Sequence, residues 1–177
     1  MKINVIGTSG SGKSTFAHRL AERLDLPYIE MDSLFWLPNW KERSDEDFFA
    51  RLEAELRRPG WVLDGNYTRT QFIKWRNVDM IVWLDYGFYR TLFQALRRAL
   101  TRSWKKNELW PGTGNRESFR RSLFSRNSIL LWTLKTYRAN RKKYLALTDN
   151  TGHSPIQFVH LRSPQETKRF LDSIQPV

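Results

Sequence analysis

A chain of 177 residues and 21.2 kDa, 40% of it hydrophobic, reads as a single domain with enough apolar material for a sizeable core. It contains no cysteine, which excludes disulfides and cysteine-type zinc sites, and no apolar run of membrane-spanning length. Its net charge of +12 is confined to one segment: Phe88 to Leu145 holds fifteen Lys and Arg against two acids, Glu108 and Glu117, while the remaining chain carries fifteen basic and sixteen acidic residues. A neutral body with one basic segment points to a local anion site, such as a lid over phosphates. A surface for a polyanion such as nucleic acid is the other reading. The N-terminus enters a strand at once and leaves no room for a signal or transit peptide, so a cytoplasmic protein without membrane contact is expected.

The first element is a strand, Lys2 to Ile6, followed by Gly7-Thr8-Ser9-Gly10-Ser11-Gly12-Lys13-Ser14-Thr15. Gly7, Gly12, Lys13 and Ser14 fit G-x-x-x-x-G-K-[ST], the phosphate-binding P-loop, or Walker A motif. Glycines at 7, 10 and 12 allow the backbone to wrap its N–H groups around an oxyanion, and the N-terminus of the following helix adds partial positive charge. The chemistry expected of this stretch is nucleoside triphosphate binding, with Lys13 reaching the β- and γ-phosphates and the Ser14 hydroxyl holding Mg²⁺. Phe16, Ala17, Leu20, Ala21 and Leu24 form the apolar stripe of that helix.

Pro27 to Asp32 reads as a second strand that places Glu30 and Asp32 on one face. A loop rich in Trp, Pro and Asn, Phe35 to Trp40, follows. Ser44 with Asp45, Glu46 and Asp47 marks a helix start, and Pro59-Gly60 its end. Trp61-Val62-Leu63 is a third strand ending in Asp64-Gly65-Asn66-Tyr67, and Asp79 to Asp85 a fourth, continuously apolar as a buried parallel strand is. A helix from Phe88 to about Ser103 carries Tyr89, Leu92, Phe93, Leu96 and Leu100 on the side expected to pack inward. Trp104 to about Ser118, with Pro111, Gly112, Gly114 and Asn115, reads as a mobile loop, and a long helix then runs from about Arg126 to Leu147. Ile156 to Leu161 is a fifth strand. Ser163-Pro164-Gln165-Glu166 is a capping box that opens a last helix.

Alternating strands and helices predict an α/β fold: a P-loop NTPase three-layer αβα sandwich on a five-stranded parallel sheet, one domain over 1–177 with a helical basic lid near 103–125. Ligands in such sheets gather at the carboxyl ends of the strands, which here carry Gly7, Asp32, Asp64 and Asp85. Asp64 or Asp85 is expected to hold Mg²⁺ through water, the other to cap a loop. Asp32 is expected to face an acceptor and take its proton if that acceptor is a hydroxyl. Arg116, Arg120 and Arg121 flank a glycine-rich loop able to close over a transferring phosphoryl, whereas Arg98, Lys142 and Lys143 read as a solvated face. Trp36, Trp40, Trp75, Trp104 and Trp110 lie in loops or at element ends and are candidates for lining an acceptor pocket. His18, His153 and His160 lack metal-ligand spacing and read as structural.

Gly7 to Thr15, Asp64-Gly65-Asn66-Tyr67 and the late basic segment resemble the adenylate kinase and shikimate kinase group of P-loop phosphotransferases. Ile29-Glu30-Met31-Asp32-Ser33-Leu34-Phe35-Trp36, Trp83-Leu84-Asp85-Tyr86, Gly114-Asn115-Arg116-Glu117-Ser118, Leu123 to Leu130 and Arg162-Ser163-Pro164 are more closely similar to the FlaR-like family of DNA topology modulation proteins. The resemblance implies an adenylate-kinase-like fold, ATP and Mg²⁺ as ligands, a kinase activity and a monomer. It places Arg162 near the adenine. Nucleoside monophosphate kinases end their third strand in Asp-Gly-Phe-Pro-Arg, whose arginine holds the acceptor phosphate. Asp64-Gly65-Asn66-Tyr67-Thr68-Arg69 lacks the Phe-Pro and sets its arginine one residue late. The combined expectation is an ATP:acceptor phosphotransferase. Gly7, Ser9, Gly10, Ser11, Gly12, Lys13, Ser14, Thr15 and Arg162 bind nucleotide in it, and Ser14 and Asp64 hold Mg²⁺. Asp32, Arg69 and Trp36 meet an unidentified small-molecule acceptor, with Lys13, Asp32, Arg116 and Arg120 at the chemistry. The alternative is a nucleotide-dependent regulator that binds DNA or RNA through the basic segment.

Overall fold

Five short segments, the central ones apolar and buried along nearly their whole length and the edge ones mixed, assemble edge to edge into a parallel sheet. In the computed structural model, which describes residues 1–105, 108–116, 129–150 and 155–175, these are β1 (Lys2–Gly7), β2 (Tyr28–Glu30), β5 (Trp61–Asp64), β6 (Met80–Leu84) and β7 (Gln157–Leu161). All pair in parallel, in the order β2-β5-β1-β6-β7. Helices α1 (Lys13–Leu24), α3 (Asp45–Leu56), α5 (Phe88–Lys105), α6 (Ile129–Asn150) and α7 (Pro164–Ser173) cover the sheet, with two short helices, α2 (Met31–Phe35) and α4 (Gln71–Lys74), at its edge. This is the α/β sandwich that the sequence pattern predicts.

The period of two along β1 sorts its side chains to opposite faces. Ile3 and Val5 join Phe16, Leu20 and Leu24 of α1 on one side. Ile6 joins Phe48, Leu52 and Trp83 on the other. Asn4, fully buried in the same strand, donates from Nδ2 to the Leu63 carbonyl at 3.1 Å and accepts from Trp75 Nε1 at 2.8 Å. That polar bridge fixes β5, and the Asp64-Gly65 turn at its end, against the central strand. Behind the turn, buried Lys74 donates to the Gly65 carbonyl at 3.2 Å.

Three segments differ from the sequence expectation. β2 stops at Glu30, and Asp32 lies in the first turn of α2 rather than in the strand. The Ser33 hydroxyl donates to the Glu30 carbonyl at 2.7 Å and closes that turn locally. Residues 36–42 are not a plain loop but an antiparallel hairpin of β3 (Trp36–Leu37) and β4 (Lys41–Glu42) around a 3₁₀ turn, with Asn39 and Trp40 at φ 61° and 59°. Helix α5 turns Tyr89, Phe93 and Leu100 outward and buries Thr91, Ala95, Ala99 and Ser103 instead. The cause is close approach to the phosphate loop: a Cβ on Gly10 would lie 2.6 Å from the Thr91 carbonyl and 2.8 Å from Ala95 Cβ. Only small residues fit there, so the larger ones point away.

Two outcomes test this packing. Gly10 sits at φ +88° against backbone that cannot yield, so Gly10→Ala is expected to lower stability by about 1–3 kcal/mol in urea unfolding. Burial, then the cations of Lys143 and Lys13, lowers the pKa of Lys74 from its ordinary 10.5 to about 7. Between those values the unfolded chain binds a proton that the folded one does not. Stability should therefore rise with pH across that window, by up to roughly 1 kcal/mol per pH unit, and fall back as pH drops toward 7. Lys74→Met should flatten that slope, measured by urea unfolding from pH 7 to 10.

Candidate active site

At the carboxyl end of β1 the backbone leaves the sheet, and Gly12 adopts a left-handed conformation before α1 begins at Lys13. That helix has neither a side-chain cap nor an acid in its first turn, so its first N–H groups and partial positive charge are directed at whatever enters the loop. The Ser11 amide donates to the Thr8 carbonyl at 3.0 Å and tightens the turn. Asn66 clamps the mouth of the loop: its Oδ1 accepts from the Gly7 amide at 3.0 Å, and its Nδ2 donates back to the Gly7 carbonyl. Arg98 of α5 donates to Ser9 Oγ at 2.9 Å. Ser11 Oγ is buried and has no hydrogen-bond partner among the described residues. Ser14 is half-buried and Thr15 exposed in the first turn of α1.

The register of β1 and β5 pairs Val5 with Asp64 and so sets that carboxylate beside the loop. Asp64 is 2% exposed, with Oδ1 3.2 Å from Lys13 Nζ. Tyr28 donates to its other oxygen at 3.2 Å. Burial, then the Asp64 charge, pushes the Tyr28 phenol well above its ordinary range, so it remains a donor. Oδ1 takes no hydrogen bond beyond the Lys13 contact. A buried carboxylate oxygen with spare acceptor capacity, next to a lysine and a serine of the phosphate loop, fits an octahedral, oxygen-seeking Mg²⁺ carried with phosphates. Asp85, the other candidate, is engaged: Arg141 Nε lies 3.0 Å and His160 Nε2 3.0 Å from its Oδ2, and His160 stacks on Trp83 at 4.0 Å.

On the other side of Asp64 lies a second group of residues. Tyr67 donates to Asp32 Oδ1 at 2.7 Å. Glu30 has its pKa raised, first by burial and then by Asp32 and Asp64, while a hydrogen bond from Trp110 and the Lys13 charge act against the rise. Trp36, Trp40 and Trp110 form a chain of edge-to-face contacts at 5.6 and 5.8 Å. Within the segment predicted to be a mobile loop, residues 108–116 pack against these indoles and the hairpin. Buried Asn115 accepts from the Trp40 amide at 2.9 Å and donates to the Leu37 carbonyl at 2.9 Å, and Glu108 and Arg116 pair as a β-bridge.

The structure brings Gly7, Ser9, Gly10, Ser11, Gly12, Lys13, Ser14, Thr15 and Asp64 to one sheet end, beside Asp32 and Trp36. Arg69 lies on the same side: its guanidinium pairs with Asp45 at 3.1 Å, packs over the Phe35 ring at 4.8 Å and sits 5.9 Å from the ring of Tyr67, the residue that donates to Asp32. Arg116 and Arg162 are exposed, and the Arg162 amide is bound by Glu166 in the expected capping box. Trp75 serves the core through Asn4, and Trp104 is 82% exposed, so neither joins the indole chain. Arg120, Arg121 and His153 lie outside the described residues. Sequence reasoning missed Asn66, Arg98 and Lys143, whose Nζ donates to Thr68 Oγ1 at 2.6 Å beside the Asp64 turn.

Comparison with known proteins places this geometry. The chain is 31% identical over 129 residues to adenylate kinase 2 of Synechocystis sp., a match covering 58% of this chain and 71% of that protein. The solved structure of an unliganded sugar kinase from Janibacter sp. superposes with a TM-score of 0.52 at 17% identity, covering 97% of this chain and 92% of that one. At that identity it speaks for the fold alone. No family model matches the sequence. With a parallel five-stranded sheet, a phosphate loop after its central strand and a curated relative matched over most of its own length, the chain belongs to the adenylate kinase family.

Proposed function

We propose that the protein is an ATP-dependent phosphotransferase acting on a small hydroxyl-bearing acceptor. The observation that carries this reading is the contact of Lys13 with buried Asp64, at the uncapped N-terminus of α1. Loop amides from Gly7 to Thr15, with Lys13, hold the triphosphate. Arg98, anchored on Ser9, adds a cation from α5 that arginine's planar fork can present to phosphate oxygens. Ser14 and Asp64 would hold Mg²⁺, which neutralises charge on the β- and γ-oxygens when bound. Asp32, oriented by Tyr67, faces the acceptor and takes its hydroxyl proton. Arg116 and Arg120 belong to the segment that closes over the transferring group, and Arg162 borders the adenine.

Catalysis in this arrangement is positioning and electrostatic stabilisation rather than covalent chemistry. Lys13→Ala should abolish phosphotransfer from labelled ATP while the circular dichroism spectrum stays native. Asp32→Asn should lower kcat by about 10²–10⁴-fold with nucleotide affinity retained. Undiminished turnover in Lys13→Ala removes the assignment.

One observation favours a second reading. Tyr89, Phe93 and Trp104 are exposed along α5 beside Arg90 and Arg97, an aromatic and basic face that a nucleic acid can use. This reading requires DNA binding at physiological salt that weakens steeply with added salt and responds to ATP. Filter-binding that shows neither retires it.

A further inference from the structure

We infer that the outward face of α5 is a docking surface for an anionic phospholipid membrane, which the chain touches from one side. The inference stands apart from the phosphotransferase reading and does not depend on it. Among the described residues no helix is long and apolar enough to cross a membrane, but lying on one requires only an apolar stripe flanked by cations.

The stripe is on α5. Tyr89 is 85% exposed and Trp104 82%, and Phe93 and Leu100 stand in solvent between them. At about 3.6 residues per turn the four fall within a sector of roughly 60° and run for about 22 Å along the helix. The close approach of Gly10 keeps large side chains off the inner face of α5, but it does not require those on the outer face to be apolar. A contiguous apolar row in water marks a contact surface. Arg90 and Arg97, both exposed, border one edge of it.

At the Tyr89 end the stripe opens into a groove of about 490 Å³ between α5 and α6, lined by Phe88, Tyr89, Tyr137 and Arg138. Phe88 meets Tyr89 and Tyr137 edge to face at 5.5 and 5.2 Å, so three rings and one exposed guanidinium share it. A lipid phosphate on Arg138, with the glycerol and first methylenes against the rings, uses both kinds of surface.

Charge selects the partner. α5 and α6 together carry ten Lys and Arg against one acid, Asp149 near the end of α6. Arg98 is turned to Ser9 and Arg141 to Asp85, while Arg90, Arg97, Lys135 and Arg138 are exposed. Acidic headgroups attract such a pair of helices, and a second copy of the same face repels it. A nucleic acid shares the charge complement, so the row of side chains decides between the two. Base stacking needs rings, and Leu100, inside the row, has none. An interfacial helix takes leucine as readily as phenylalanine. Tyr89 and Trp104, at the two ends, are the residue types that sit at headgroup level.

The test is co-sedimentation of the full chain with vesicles of phosphatidylcholine alone and of phosphatidylcholine and phosphatidylglycerol in equal parts. The chain should pellet with the second and stay in solution with the first. Phe93→Gln with Leu100→Gln, which alters no charge, should weaken that binding about tenfold or more while the circular dichroism spectrum stays native. Vesicles with bromine-bearing acyl chains should quench the emission that Trp104→Phe removes, which reads insertion without relying on the double variant. Failure to pellet with anionic vesicles, binding that the double variant leaves unchanged, or unquenched Trp104 overturns the inference. A single-stranded oligonucleotide that binds parent and double variant alike, with no vesicle binding, overturns it in favour of nucleic acid.

Discussion

The contact between Lys13 and Asp64 is the constraint around which the site is built. Burying a carboxylate costs several kcal/mol unless it is paired and hydrogen-bonded, and Asp64 meets that condition through Lys13 and Tyr28. Both partners are fixed by backbone rather than by side-chain choice. Lys13 opens α1 where the loop returns to the sheet, and Asp64 ends β5 in parallel register with β1. Asn66 then ties the turn after Asp64 to the first residue of the loop. Loop and turn are therefore tied to each other, and under the proposed function a triphosphate that draws Lys13 away would leave a carboxylate in need of another cation.

The same strand ends divide the site into two chemistries. Toward α1 and α5 lie amides, Lys13 and Arg98, a cationic cradle. Toward α2 and the hairpin lie Glu30, Asp32 and three indoles, an acceptor-rich and apolar wall. The turn bearing Asn115 bonds the hairpin backbone, and within that turn Gly114 donates its amide to Glu108 at 2.6 Å.

Much of this was legible in the sequence because the determinants are local. The phosphate loop is set by backbone torsions that glycine permits, and buried parallel strands announce themselves as unbroken apolar runs. What was illegible depends on contacts distant in the chain. Period 3.6 marks Tyr89, Phe93 and Leu100 as a stripe but does not say which way it faces. Gly10, some eighty residues earlier, decides that by leaving room only for Ala95 and Thr91. Arg98 looked like surface charge because nothing near it in sequence reveals Ser9 as its partner. Asp32 was read into a strand because the hydroxyl of Ser33, not hydrophobic pattern, turns the chain there. Arg69 looked free because Asp45 lies one helix away.

The most direct measurement is a crystal structure with Mg²⁺ and a non-hydrolysable ATP analogue. The account requires the triphosphate in the loop from Gly7 to Thr15, Lys13 Nζ moved from Asp64 onto phosphate oxygens, and Asp64 facing the metal or its water. A triphosphate bound elsewhere, or one bound in the loop with the Lys13–Asp64 contact intact and no metal beside Asp64, contradicts it.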